Sequence, residues 1–334
     1  MRKVHLRGAD PYLQRMTATP AFLDSARPEV PDIVVPRGVT PFHLPGRPVR
    51  GRLVRLGVLA DALLTRHDNH PAVTQLSGQA LALAAALASA LKFRGSFSMQ
   101  AKGNGPVPML LADCTESGAL RGYARANPDR LAALLDTDPA PTAAALLGTG
   151  YLAFTVDQGI DVERHQGIVA IEGESLAEMA LHYFATSEQI QCSVRLACAR
   201  TEAGWRAGAL ILEKVAGQGG IDPMLDAEAQ AESWRAANAL ALTLTDGELL
   251  DDKLQAEELL YRLFGLEGVA AHRHRALAYG CRCSRARLSN ILEGFSGDDL
   301  DHMTVGGDIV MTCEFCNLDF RFDRTEVRGK VGDG

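Results

Sequence analysis

The rhythm of hydrophobic and polar positions changes along the chain, and each change marks a different kind of element. From Leu76 onward, Leu76, Ala80, Leu83, Leu87 and Leu91 recur at spacings of three and four, which is one face of a helix. The run Ala80–Leu91 is apolar almost all round, and its alanines permit close packing against a sheet. At 12 residues with Ser89 inside, that run is too short to span a bilayer, so it predicts a buried helix. Before it, "RLVRLGVLADALLTRH" reads as helical or mixed. After it, the period falls towards two. "SFSMQAKG", "VPMLLADC", "ALRGYARA", "YLAFTVD" and "QGIVAIEG" predict short strands, the first three separated by "GNGP" and "TESG" turn chemistry. Sequential short strands favour antiparallel pairing. Ser175 and Glu178 form a capping box that opens a helix at "ESLAEMALHYFATSEQ", and "CSVRLACA" and "GWRAGALILEKV" return to strand. Together these elements predict an α+β core with an antiparallel sheet, ending near Gly220.

The flanks have other textures. Prolines 11, 20, 28, 31, 36, 41, 45 and 48 exclude long helix from the first fifty residues. They predict an irregular arm with edge-strand pieces at "DIVV" and "FHL". "AGQGGIDP" at 216–223 reads as a linker, followed by a helical segment to about Val269. There Thr245 and Glu248 form a second capping box, and Leu250, Leu254, Leu260 and Phe264 make an apolar stripe that should pack on the rest of the protein. The expected organisation is an arm at 1–50, a core at 51–222, a helical linker at 223–275 and a small cysteine-bearing domain at 276–334.

Composition narrows the function. Charged residues make up 22%, hydrophobic residues 47%, and the net charge is −7 with a pI near 5.7. That balance gives no electrostatic footprint for a nucleic-acid backbone. The first residues lack the apolar centre of a signal peptide, which predicts a cytoplasmic protein. In that reducing compartment, clustered cysteines point to metal or redox chemistry rather than structural disulfides.

Four of the seven cysteines cluster near the end: Cys281 and Cys283 as C-x-C, then Cys313 and Cys316 as C-x-x-C. Four thiolates at such spacing suit one tetrahedral zinc ion per chain. In C-x-C the two side chains leave an extended segment on the same side, and in C-x-x-C a tight turn converges both sulfurs. Ser284 should cap a helix whose face is Leu288, Ile291, Leu292 and Phe295. Leu318, Phe320 and Phe322 alternate after Cys316, predicting a strand. Asn317 stands where such a turn needs a positive φ. A closed four-cysteine site has no open coordination position, so zinc hydrolysis is disfavoured and the chain reads as a non-enzyme. Its sulfurs remain oxidisable, and each pair can close internally, which is incompatible with metal ligation. Two other readings stay open: a zinc-ribbon protein docking nucleic acid or the ribosome, and a thiol oxidoreductase using Cys313 and Cys316. Cys114, Cys192 and Cys198 read as small buried hydrophobes. "KGNGPV" lacks the third glycine of a dinucleotide loop and reads as a hairpin turn, Ser187 has no triad partners by spacing, and "HRHR" at 272–275 is a candidate neighbour of a metal.

The sequence resembles a known family, the redox-regulated holdase chaperones called heat shock protein 33. "CRCSRARLSNIL" followed by "CEFCNLDFRF" carries the resemblance most strongly. "LKFRGSFSMQAKGNGPVPMLLADC", "GALRGYARAN", "GTGYLAFTVD", "HQGIVAIEGESLAEMALHYFATSEQ" and "LLYRLFG" extend it over about residues 50–325. The resemblance implies an ATP-independent chaperone for unfolding client proteins, protecting them from aggregation in oxidative and heat stress. It implies that Cys281, Cys283, Cys313 and Cys316 are both zinc ligands and redox switch. On oxidation Cys281 would pair with Cys283 and Cys313 with Cys316, zinc would leave, zinc domain and linker would loosen, and the active form would be a homodimer. The long proline-rich arm, "LFGLEGV" after Tyr261, Asn317 in place of a common glycine, and "QCS" with its added Cys192 depart from the family pattern.

Overall fold

In the computed structural model, which describes residues 31–91, 94–159, 162, 164–215 and 226–327, the first strands are longer and more regular than the expected edge pieces. The chain runs β1 (Val34–His43), β2 (Val49–Arg55), α1 (Val58–Leu64), α2 (Pro71–Ala90), β3 (Ser96–Gly103), β4 (Met109–Thr115) and β5 (Ala119–Arg125). It continues with α3 (Pro128–Thr137), α4 (Ala143–Leu147), β6 (Gly150–Asp157), β7 (His165–Ala170), α5 (Leu176–Tyr183), a π-helical turn at Phe184–Glu188, β8 (Cys192–Thr201) and β9 (Gly204–Lys214). Then come α6 (Ala227–Leu242), α7 (Asp246–Leu250), α8 (Ala256–Phe264), β10 (Ala270–Ala271) and β11 (Arg275–Tyr279). Among the described residues these strands make one sheet in the order β7-β6-β3-β4-β5-β11-β1-β2-β9-β8, with β10 also beside β1. All pairs are antiparallel except β5 with β11.

The expected irregular arm with edge-strand pieces is therefore corrected over residues 34–50. β1 lies inside the sheet, between β11 and β2. Its prolines fall where a missing N–H costs least. Pro36 sits in the register slip between Val35↔Leu277 and Val39↔Arg275, and bulges tolerate proline. Pro41 lies between the β11 and β10 pairings, and its carbonyl accepts from the His272 N–H at 2.8 Å. Residues 1–30, which carry the rest of the arm, and the linker at 216–223 lie outside the described residues.

Both faces of the central strands are covered. On β9, Ala209 and Ile211 enter one apolar cluster while Leu210 and Leu212 enter another, and on β2 Val54 and Leu53 divide the same way. Period-two alternation with apolar residues on both faces is what a doubly covered strand requires. The first face holds α2, whose twenty residues exceed the apolar run seen in the sequence because Pro71 starts the helix and the His70 side chain caps it. By length and composition α2 could cross a membrane, but 78% of its apolar window is buried inside the protein. Gly78 sets the approach, since a Cβ there would run into the sulfur of Cys198.

The second face holds α6–α8, with the Thr245/Glu248 capping box opening α7; the Ser175/Glu178 box opens α5 on the first face, both as expected. Leu259, Leu260, Leu263 and Phe264 are buried, and the Phe264 ring stacks on Phe42 with centroids 5.5 Å apart. Arginines from the sheet hold the backbone leading into α8. Arg55 donates to the carbonyls of Leu249 (3.0 Å), Glu248 (2.6 Å) and Leu254. Arg195 donates to the carbonyl of Leu244 at 3.2 Å, and Arg206 pairs with Asp252 at 2.5 Å. Nothing in the spacing of these arginines announces that role.

Contacts cluster into two compact units, Ile33–Gly280 and the described residues from Cys281 onward. The second contains α9 (Arg285–Leu292), α10 (Gly297–His302) and the antiparallel strands β12 (Thr304–Val305), β13 (Asp308–Thr312) and β14 (Asp319–Asp323). Its apolar interior is small: Leu292, Leu300, Ile309, Phe320, Phe322 and Val327. The expected helix face is only partly used. Leu292 is buried, whereas Ile291 and Phe295 are 47% and 38% exposed, because a helix of eight residues over so small a sheet can bury little more than one position.

Candidate metal centre

Two short segments present the four cysteines. Cys281 and Cys283 lie in the extended stretch leading into α9, whose N-cap is Ser284, its hydroxyl accepting from the Arg287 N–H at 3.2 Å. Arg285, in the first turn, stacks its guanidinium over Phe322 at 4.4 Å and donates to the Arg321 carbonyl at 2.5 Å. These contacts tie the C-x-C segment to β14. The C-x-x-C pair occupies the tight turn between β13 and β14. There the Asn317 N–H donates to the Cys313 carbonyl at 2.7 Å, and the Cys313 N–H to the Leu318 carbonyl at 3.0 Å. Asn317 adopts φ 53°, the left-handed conformation expected for it. The turn runs into a strand, as the alternation of Phe320 and Phe322 predicts, and not into the helix that a thioredoxin-like motif would open.

This backbone gives a prediction. Asn317→Val should cost about 1–2 kcal/mol through left-handed strain, while Asn317→Gly should leave the turn intact. A chelator competition comparing metal affinities of the two variants reads the difference.

The four sulfurs converge. Cys281 and Cys283 are 3.4 Å apart, Cys281 and Cys313 3.7 Å, Cys283 and Cys316 3.5 Å, and all four lie within 4.8 Å of one another. All are buried and all are free thiols. Tetrahedral ligands with metal–sulfur bonds of about 2.3 Å are separated by about 3.8 Å, whereas disulfide sulfurs are about 2.05 Å apart. The spacing matches a shared ion and excludes a bridge in this state. The proton balance agrees. A hydrogen bond with Cys283 lowers the Cys281 thiol to about 7, and Cys313 is drawn lower, chiefly by Cys281. Cys283 and Cys316 are pushed up, each chiefly by its hydrogen bond with Cys281. Four neighbouring thiolates repel one another too strongly to ionise together, and a divalent cation among them offsets that repulsion. The donor set therefore fits one metal ion.

The sequence profile of the Hsp33 protein family matches residues 38–323. The chain belongs to the Hsp33 family. Two of its Hsp33 relatives make the scale plain. The 33 kDa chaperonin of Caulobacter vibrioides is 40% identical over 290 residues, covering 85% of this chain and 94% of its own. That of Pseudomonas fluorescens is 36% identical over 280 residues, covering 83% and 88%. The crystal structure of the Hsp33 homologue from Thermotoga maritima superposes with a TM-score of 0.71 at 24% identity, over 87% of this chain and 96% of that one, which supports the same fold.

The remaining candidates fall elsewhere. Cys114 and Cys198 are buried in the sheet unit as expected; Cys192 is only half-buried. His272 stacks on His43 with ring nitrogens 2.9 Å apart, and His274 meets Thr40 at 3.0 Å and Glu257 at 3.1 Å, all within the sheet unit. "KGNGPV" is the turn from β3 to β4, where the Gly105 N–H donates to the Leu147 carbonyl at 2.8 Å. Ser187 lies exposed in the π-helical turn.

Proposed function

We propose that this protein is a redox-regulated, ATP-independent holdase chaperone of the cytoplasm, restrained while reduced and zinc-bound, and active once its cysteines are oxidised. The observation that carries the reading is the gathering of four buried sulfurs at ligand rather than disulfide distances, in a member of the Hsp33 family. Cys281, Cys283, Cys313 and Cys316 would hold one Zn²⁺, the ion best suited to a closed tetrahedron of four thiolates. Bound there, zinc keeps the sulfurs deprotonated and ties the C-x-C segment to the β13–β14 turn.

The switch is two-electron chemistry on the cysteines. Hydrogen peroxide takes two electrons from a pair of thiolates and two protons from solvent, one S–S bond forms, and two molecules of water leave. Pairing Cys281 with Cys283 and Cys313 with Cys316 uses all four sulfurs, and no thiolate remains to bind metal. Residues 281–327 would then lose their order, and helices α6–α8 would loosen from the sheet. The apolar side chains so released are the client-binding surface of this reading, and the same exposure favours a homodimer. Clients are unfolding proteins, with neither nucleic acid nor membrane as a partner.

The expected result is one zinc per reduced chain, released by peroxide at elevated temperature and measured with a chromogenic chelator. Light scattering of a thermally unfolding client should fall only after that treatment. An oxidised protein no better than the reduced one at suppressing scattering would defeat the regulatory reading.

A further inference from the structure

The sheet unit holds a second built feature. Where α2 ends, beside β3, β6, β8 and the π-helical turn, there is a cavity of about 220 Å³. Its walls are interlocked rings. Phe97 and Phe154 stack at 5.9 Å, Tyr183 tilts against Phe154 at 4.4 Å, and Phe184 lies 6.3 Å from Phe154 and 5.5 Å from Tyr183. Leu87, Ala90, Leu91, Val156 and Ile190 complete the apolar lining.

The backbone has been bent to shape it. The π-helical turn at Phe184–Glu188 ends on Gln189 at φ 53°, an uncommon conformation for a residue with a side chain, and the Ile190 N–H closes the turn on the Phe184 carbonyl at 3.0 Å. Both ends of this turn, Phe184 and Ile190, line the cavity. π-Helical turns and non-glycine left-handed residues concentrate at functional sites, where their conformational cost serves a purpose. Leu91 and Ile190, at the cavity, are 43% and 38% exposed, so it can be reached from solvent.

Size and polarity select the ligand. A cavity of about 150 Å³ lined by apolar side chains accommodates benzene, so this one has room for one or two fused rings. Its polar groups are largely spent on each other. The Tyr183 hydroxyl donates to Glu188 at 2.6 Å, and Arg50 donates to Glu213 at 2.6 Å. Burial and Glu188 push the Tyr183 phenol up, so it remains a donor. The His165 imidazole and the Cys192 thiol are the remaining polar lining; a carboxylate or ammonium ligand would compete with the Arg50–Glu213 and Tyr183–Glu188 pairs, whereas an uncharged ring meets mainly apolar walls and ring edges. We infer that this cavity is a binding site for a small uncharged aromatic molecule of one or two rings. The site rests on the reduced fold of the sheet unit and is independent of the cysteine switch.

Indole is the probe. Full-length, reduced, zinc-loaded protein carrying labelled isoleucine methyl groups is titrated with indole, the Ile190 resonance being assigned by its loss in Ile190→Val. The expected result is a saturable shift of Ile190 with Ile309, in the metal-binding unit, unmoved. Ala90→Phe, which fills the cavity from the end of α2, should abolish the shift, and Leu91→Trp at its rim should weaken it at least tenfold. A linear, non-saturating response of Ile190, or equal binding by Ala90→Phe protein of unchanged zinc content and circular dichroism, overturns the site. Tighter binding of tryptamine or indole-3-acetate than of indole by tenfold or more overturns the uncharged class.

Discussion

Cys316→Ser is expected to strip the reduced protein of zinc and to unfold residues 281–327 while the sheet unit stays folded. The sulfur of Cys316 is completely buried, 3.5 Å from Cys283, and serine offers a poor ligand in its place. Removing one of four ligands forfeits much of a metal-binding energy on the order of 10 kcal/mol. The unit has little else to fall back on. Its interior among the described residues is six buried apolar side chains, too small a core to hold a unit of this length unaided. Arg285 over Phe322 and its bond to the Arg321 carbonyl add only a modest contact to that core. Hydrogen exchange read by mass spectrometry checks the outcome. Amides of β13 and β14 should exchange at open-chain rates in the variant, while those of β3 and β9 keep their protection. Stoichiometric zinc in Cys316→Ser, or retained protection at Ile309 and Phe320, would show that the four sulfurs are not the ligand set.

The cysteine cluster was legible in the sequence because each of its two pairs is local. A C-x-C, a C-x-x-C, a capping serine and a residue tolerant of positive φ each announce themselves within a few positions, and the geometry assembles all four. The strands from β3 to β9 were legible for a similar reason, since alternation and turn residues are short-range signals. β1 was not, because proline density is a strong local argument against regular structure. What overrides it is non-local: a register slip at Pro36 and a change of partner at Pro41. The arginines that hold the backbone before α8 were equally hidden. Arg55 and Leu254 are some two hundred positions apart, and no periodicity connects a guanidinium to a distant carbonyl. The aromatic cavity belongs to the same class, assembled from helices and strands far apart in the chain and from a π-helical turn that no spacing rule foretells.

Phe264→Ala is expected to turn on client holding in the reduced, zinc-loaded protein. Phe264 is fully buried, stacks on Phe42, and closes the apolar cluster that fixes α8 to the sheet with Leu259, Leu260 and Leu263. Truncating such a ring costs about 3–5 kcal/mol. The loss falls on α6–α8 rather than on the sheet, whose opposite face keeps its own cluster around α2. Arg55 and Arg206 still hold residues 248–254, so the helices should open transiently instead of detaching. At about 1.4 kcal/mol per tenfold, the population of open forms should rise at least a hundredfold. Trypsin cleavage after Arg235 and Arg262 should accelerate accordingly, because proteolysis follows that population when reclosing is fast. If docking of these helices is what restrains the chaperone, the same variant suppresses client aggregation without oxidant and with its zinc in place. Faster cleavage without suppression would separate the two, leaving the helices loosely held but the client surface elsewhere.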